Sequence, residues 1–241
     1  MTPPADGVPP CRSRVRSITR FWWVSIPLAL AFGAVAIRPL FADGMPPEPP
    51  DLVTLSQLAE TRTVPVAPDA QLVVQVGRGD ITVTVGEPGF VHFTVTRYAN
   101  ADTHAAATLA LETVHVLISG GDPVLSFVIS VDRAFETTTA VSIEIPPGMP
   151  LKAETLAGDL TLDGSFTGRI EAGTGAGTLE IRLPANWHIQ IGADAREVLS
   201  DLALEPVGDA LPTIYRTPGT DIPDLELVLR ALAGPIIVRE R

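Results

Sequence analysis

Cysteine is almost absent from this chain. Cys11 is the only one, and it lies ahead of the longest apolar run, so no disulfide can staple the residues beyond that run. Aromatic residues make up 5% of the 241 residues. Val, Thr, Gly and Pro are plentiful instead, a mix that suits many short strands and tight turns rather than a helical bundle. Basic charge is scarce: from Asp43 onward 12 Lys and Arg stand against 27 Asp and Glu, a net charge of −15. Such a surface is repelled by nucleic acid and by anionic lipid. Reactive signatures are missing too. There is no Gly-x-Ser-x-Gly, no phosphate-binding P-loop and no Cys-x-x-Cys.

One long hydrophobic run is present. Phe21 to Ile37 is 17 residues without a charge, preceded by Arg12, Arg14, Arg16 and Arg20 and opened by Trp22 and Trp23. As a helix it would be about 25 Å long, enough for a bilayer core. The arginines keep the N-terminus in the cytoplasm, so the rest is expected outside it. The segment is expected to be a retained single-pass anchor. The other reading is a secretory signal cut after Ala34-Val35-Ala36. The expected organisation is a cytoplasmic basic tail over 1–20, the anchor over 21–41, a Pro-rich spacer over 42–60 and an extracytoplasmic domain over 61–241.

That domain repeats itself. Leu-Lys-Ala-Glu-Thr-Leu-Ala-Gly from Leu151 recurs as Ile-Glu-Ala-Gly-Thr-Gly-Ala-Gly from Ile170 and as Ile-Gln-Ile-Gly-Ala-Asp-Ala-Arg from Ile189, a step of 19 residues. Gly158, Gly177 and Arg196 share one phase, and Leu160, Leu179 and Val198 another. The phase returns at Leu227-Val228-Leu229, ending at Gly234 before Ile236. Ile145-Pro146-Pro147-Gly148-Met149 recurs two periods on as Leu183-Pro184-Ala185-Asn186-Trp187. A period near 20 marks stacked units that bury their apolar faces against one another. The expected fold is all-β, a right-handed β-solenoid or β-helix-like stack with a repeat of about 19 residues, preceded by one transmembrane helix. An antiparallel meander or sandwich is the competing architecture. Leu160, Leu179 and Val198 are expected to form one inward column, with Thr178 facing out.

Other strands are expected at Leu72–Val76, Ile81–Val85, Phe90–Val95, Thr113–Ser119, Val124–Val131 and Thr139–Ile145. Asp102 is the expected cap of a short helix through Ala105–Leu109. Glu205 to Pro223 holds four prolines and is expected to be an irregular loop.

The pattern of a strand, Ile-Pro-Pro-Gly, another strand and Thr-x-x-Gly158-Asp159-Leu160-Thr161-Leu162 resembles the bacterial putative-adhesin family of unknown function. The resemblance spans Val64 to Val238 and includes Gly79-Asp80. It departs at Arg196-Glu197, where Gly-Asp or Gly-Thr is usual, and at Glu205–Pro223. What it implies is a membrane-anchored envelope protein with a β-helical ectodomain and a modulatory role beside an envelope-stress sensor. It brings no catalytic residues.

Several residues are candidates for chemistry. Arg78-Gly79-Asp80 spells the integrin-binding tripeptide, yet the same slot reads Ala157-Gly158-Asp159, which makes it a turn followed by a strand. His92, His104, His115 and His188 have no ligand spacing. Asp80, Asp159, Asp163, Glu171 and Glu180 could form carboxylate ladders that hold calcium or act on a polysaccharide, or could be solvated outward positions. Gly173-Thr174-Gly175-Ala176-Gly177 precedes a strand, whereas a phosphate cradle needs a helix. The sequence thus leads to a non-enzymatic protein of the cell membrane with no catalytic, metal or cofactor site. Its expected partner is an envelope protein or glycan. A polysaccharide-acting enzyme and a purely structural spacer are the alternatives.

Overall fold

The computed structural model describes residues 52–120, 123–131, 137–208, 212–219 and 223–241. The anchor, the basic tail and most of the expected spacer lie outside them. Among the described residues no helix is long and apolar enough to cross a membrane.

In chain order come β1 (Val53–Pro65), β2 (Gln71–Val76), β3 (Gly79–Val85) and β4 (Phe90–Ala101), then α1 (His104–Glu112). They are followed by β5 (Val114–Gly120), β6 (Val124–Val131), β7 (Thr137–Ile145), β8 (Leu151–Ala157) and β9 (Leu160–Asp163). Next are β10 (Ile170–Ala176), β11 (Leu179–Leu183), β12 (Ile189–Ala195) and β13 (Val198–Ser200). The chain closes with β14 (Glu205–Val207), β15 (Thr213–Arg216), β16 (Leu225–Ala231) and β17 (Ile236–Glu240).

These strands form two sheets. One has the order β1-β4-β7-β3-β9-β11-β17-β13 and the other β14-β15-β12-β16-β10-β8-β2-β6-β5. Consecutive strands such as β2 and β3, β8 and β9, β10 and β11, or β16 and β17 fall in opposite sheets at one level of the stack. Neighbouring levels pair in parallel. The 19-residue step becomes register here: Leu151 lies beside Ile170, and Leu160 beside Leu179. Period-two alternation sends one face of every strand inward. Leu125, Leu72, Leu151, Ile170, Leu227 and Ile191 thus make one continuous row. Val141, Ile81, Leu160, Leu179 and Ile236 make the facing row. All of these side chains are buried. Full burial of each contributes about 1.5–3 kcal/mol, which is how a domain without disulfides holds together. Phe93 and Phe127 stack at 4.7 Å near one end.

Four expectations need correction. The spacer read over 42–60 is overtaken by β1, which starts at Val53 and pairs antiparallel with β4. The helix is capped by Thr103, not Asp102; the Thr103 side chain accepts from the Ala106 amide. Glu205–Pro223 contains β14 and β15, a hairpin laid antiparallel on β12. The inward column runs Leu160, Leu179, Ile236, Val198, because β17 stands between β11 and β13. Val198 is only partly buried as a result of lying on an edge strand.

The stack order therefore departs from chain order. The last strand pair, β16 and β17, fills a level between β10–β11 and β12–β13. The two ends of the stack are antiparallel: β1, β4 and β7 with β5 and β6 at one, β12, β15 and β14 at the other.

Candidate functional site

The sequence signature Gly-Asp sits at the corners where the chain passes between sheets. Gly79, Gly158 and Gly177 have φ of +147°, +144° and +149°. A Cβ on Gly158 would overlap the Gly79 carbonyl oxygen, and one on Gly177 the Gly158 carbonyl oxygen. Both the conformation and the close approach of backbone require glycine. The corner carbonyls are in turn held by buried threonines. Thr155 Oγ1 donates to the Gly79 oxygen and Thr174 Oγ1 to the Gly158 oxygen, both at 2.9 Å.

The aspartate that follows each glycine ties one level to the next. Asp80 Oδ1 accepts the Asp159 amide at 2.9 Å, and Asp159 Oδ1 accepts the Thr178 amide at 2.7 Å. The chain of carboxylates stops at Thr178 for a physical reason. Register places Pro235 beside Thr178, and proline has no N–H to satisfy. In Arg78-Gly79-Asp80 the aspartate is thus committed to its neighbouring level. Arg78 is exposed at the corner while Gly79 is buried.

Asp163 and Glu180 lie further along the eight-stranded sheet. Glu180 Oε1 accepts Arg182 Nε at 2.9 Å and is 3.2 Å from Arg239 Nε. Asp163 is 3.9 Å from Arg182 Nη1 and 3.2 Å from Arg241 Nε. The Arg241 contact is a charge pairing without hydrogen-bond alignment, since Asp163 Oδ1 has no aligned donor. The Glu180 hydrogen bond, then its charge, raises the Arg182 guanidinium above its ordinary value, so it stays cationic throughout the working pH range. Glu171 belongs to the other sheet, 2.9 Å from Arg169.

The five candidate carboxylates are therefore divided between corner and sheet faces. Asp80 and Asp159 bind backbone, and the other three face arginines. Sequence reasoning missed Arg182, Arg239 and Arg241, although the signal was available: Arg182 stands one 19-residue period after Asp163.

The histidines are dispersed. His92 Nδ1 is 2.9 Å from Thr63 Oγ1, His104 opens α1, His115 is exposed, and His188 Nδ1 is 3.4 Å from Asp224 Oδ2. Among the described residues no group of three His, Cys, Asp or Glu is placed to hold a metal ion. Gly173 to Gly177 runs through β10 and a corner into β11, with no helix after it. A depression of about 330 Å³ lies at the β14–β15 hairpin, lined by Glu205, Pro206, Val207, Arg216, Thr217, Pro218 and Gly219.

The Arg196-Glu197 departure is also explained. From the Thr174 row to the Leu179 row the corner takes five steps, and so does the corner from Ala231 to Ile236. From Ala195, in the Thr174 row, to Val198, in the Leu179 row, it takes three. The third copy is thus slipped by two residues in the nine-stranded sheet: Ile191, not Ile189, joins the Ile170 row. An even slip keeps the apolar face inward. The shorter corner turns without positive φ, so arginine is tolerated there.

No protein-family model matches this chain, and no curated protein matches it. Among solved structures it is similar to a putative cell adhesion protein from Clostridium sporogenes, at 12% identity and a TM-score of 0.47, over 77% of this chain and 100% of that one. It is similar also to a putative adhesin from Bacteroides fragilis, at 12% identity and a TM-score of 0.31, over 77% and 97%. A putative lipid binding protein from Parabacteroides distasonis is similar at 10% identity and a TM-score of 0.23, over 74% and 96%. The first two are proteins of the kind that the Gly-Asp repeats resemble.

Proposed function

We propose that this chain is a non-enzymatic, membrane-tethered extracytoplasmic protein that presents a stacked β surface to an envelope protein or glycan. The stack is a right-handed β-solenoid in this reading, each level one coil. The single observation that carries the proposal is the use made of the acidic side chains. Asp80 and Asp159 hold the amides of the next level, and Asp163 and Glu180 are paired with arginines. A carboxylate in such a role supports a scaffold; a general acid or nucleophile needs to converge with its partner on one substrate position. The Phe21–Ile37 run supports tethering, and the family resemblance supports a modulatory role in envelope stress signalling. The test is direct. The purified protein, immobilised in detergent, is expected to retain one specific envelope protein or glycan from solubilised envelopes and to release no product from cell-wall polymers. Hydrolysis of such a polymer, abolished by Asp163→Asn or Glu180→Gln, would sink the proposal.

A further inference from the structure

The level occupied by β16 and β17 is a slot with two ready walls. On one side are β10 and β11, on the other β12 and β13, and every pairing across both walls is parallel. The two walls are consecutive in sequence, yet they do not close on each other. Their corners explain why. The Thr174-to-Leu179 corner ends in Gly177-Thr178 and offers no carboxylate to the level above it. A partner corner must span five steps, carry glycine over the Gly177 carbonyl and lack an amide over Thr178. Gly234-Pro235 meets all three conditions; a Cβ at Gly234 would overlap the Gly177 carbonyl oxygen. Arg196-Glu197 meets none: its corner is two residues shorter, it carries a Cβ, and Glu197 has an amide.

We propose that this slot is a strand-acceptor site that takes the β16–β17 pair of a second copy of this chain, linking copies by exchange. The reason is that the slot recognises only what lies between Leu225 and Glu240. A second copy's pair offers the same register, the same Gly-Pro corner and the same ion pairs, Arg230 with Asp194 and Arg239 with Glu180. Exchange of an identical element between protomers leaves every such contact intact and changes only the connection. That connection runs from the end of β15 at Arg216 to Leu225. Among its described residues it is tied down where Thr217 Oγ1 accepts the Ile189 amide, the Thr217 amide donates to the Ile189 oxygen, Asp224 Oδ2 accepts the His188 amide and the Asp224 amide donates to the His188 oxygen. Once released, the link from Arg216 to Leu225 reaches roughly 30 Å at full extension. The same slot in the same copy competes by effective concentration, so exchange grows with the density of copies.

Cross-linking tests this on the full-length chain in detergent, with Cys11→Ser as background. Glu171 and Val228 are direct neighbours across β10 and β16, and Lys152 is one strand further away. Neighbouring strands stand about 4.8 Å apart, within disulfide reach, and a strand skipped doubles that. Copies carrying only Glu171→Cys are mixed with copies carrying only Val228→Cys, unfolded in urea, refolded at high concentration and oxidised. The expected result is a disulfide-linked dimer at least tenfold more abundant than from Lys152→Cys mixed with Val228→Cys. The double variant Glu171→Cys/Val228→Cys, refolded dilute, is expected to close its own disulfide. Monomer alone from the first mixture, or equal dimer from both mixtures, overturns the proposal. So does a double variant that fails to close, because the slot's register is then wrong.

Discussion

Three glycine-to-alanine changes separate what the corners demand. Gly158 has φ +144°, in a region open almost only to glycine, where another residue costs about 1–3 kcal/mol. Its added Cβ also overlaps the Gly79 carbonyl oxygen, so the two levels must part. Two bonds join those levels at the corner: Thr155 Oγ1 to the Gly79 oxygen and the Asp159 amide to Asp80, both at 2.9 Å. Each contributes about 0.5–1.5 kcal/mol net, and a parting of the levels weakens both. Gly158→Ala is therefore expected to lose roughly 2–6 kcal/mol, a large share of the 5–15 kcal/mol typical of a domain. Gly89 has φ +83° with nothing within 4 Å of a Cβ, so Gly89→Ala is expected to lose only about 1–2 kcal/mol. Gly173 has no positive φ, and its Cβ would meet the Arg230 oxygen at 3.6 Å, an ordinary contact. Gly173→Ala is expected to gain about 0.4–1 kcal/mol by restricting the unfolded chain. Residues 49–241 form a compact unit of their own, and Trp187 is its only tryptophan. Urea unfolding followed by its fluorescence, with the slope unchanged, reads all three variants. Agreement of Gly158→Ala with Gly89→Ala within about 0.5 kcal/mol would refute the close approach of the levels, because conformation alone would then account for both.

Two further outcomes come from the same corners and rows. Pro235→Ala places an amide over Thr178 without an acceptor, and Thr178→Asp places a carboxylate beside that of Asp159 without an amide to bind. Each is expected to destabilise by about 0.5–1.5 kcal/mol, and the double variant to recover about 1 kcal/mol, a coupling that a urea double-mutant cycle measures. Leu179→Asp buries a carboxylate between Leu160 and Ile236 and is expected to lose several kcal/mol, whereas Leu199→Asp, at a position 46% exposed, is expected to change stability by about 0.5 kcal/mol or less. Equal losses at the two leucines would remove the inward assignment.

Much of the fold was legible because burial repeats. A 19-residue step with period-two alternation fixes which side chains meet, and Leu151 with Ile170 or Leu160 with Leu179 follow from it directly. The same step locates threonine at 155 and 174 and the opposite charges at 163 and 182. What could not be read was anything that periodicity leaves degenerate. An apolar row accepts Ile236 as well as Val198 beside Leu179, so the row alone does not say which strand comes next. β1 was hidden because its polar run, Thr54 to Thr63, pairs as an edge strand with little burial. β14 and β15 were hidden because Pro206 lies inside the first and Pro212 and Pro218 flank the second, strands of three and four residues at the stack's end. The carboxylates were read as outward positions or ligands, and their bonding to backbone and arginine depends on which level lies above. That is information about order, not about pattern.

Order is decided at the corners. Rows of Leu, Ile and Val are interchangeable to within small packing differences, and a two-residue slip, as at Ile191, keeps them so. A corner is not interchangeable, since a methyl group over a carbonyl, or an amide without an acceptor, is penalised in one order and absent in another. Gly79, Gly158, Gly177 and Gly234 carry the close approaches, while Asp80 and Asp159 supply acceptors only where an amide arrives. Thr178 and Pro235 end that chain together, which admits β16–β17 at this level and turns β12–β13 away. Once displaced, β12 and β13 become the outer level, where nothing further needs to stack on Arg196. The β14–β15 hairpin then covers the edge of β12, and β13 is kept to three residues. Short or covered edges are how a stack avoids adding strands without limit. The departure from the repeat at Arg196-Glu197 is thus what ends the stack, and the final strand pair of the chain is interior because its corner is the one that still fits.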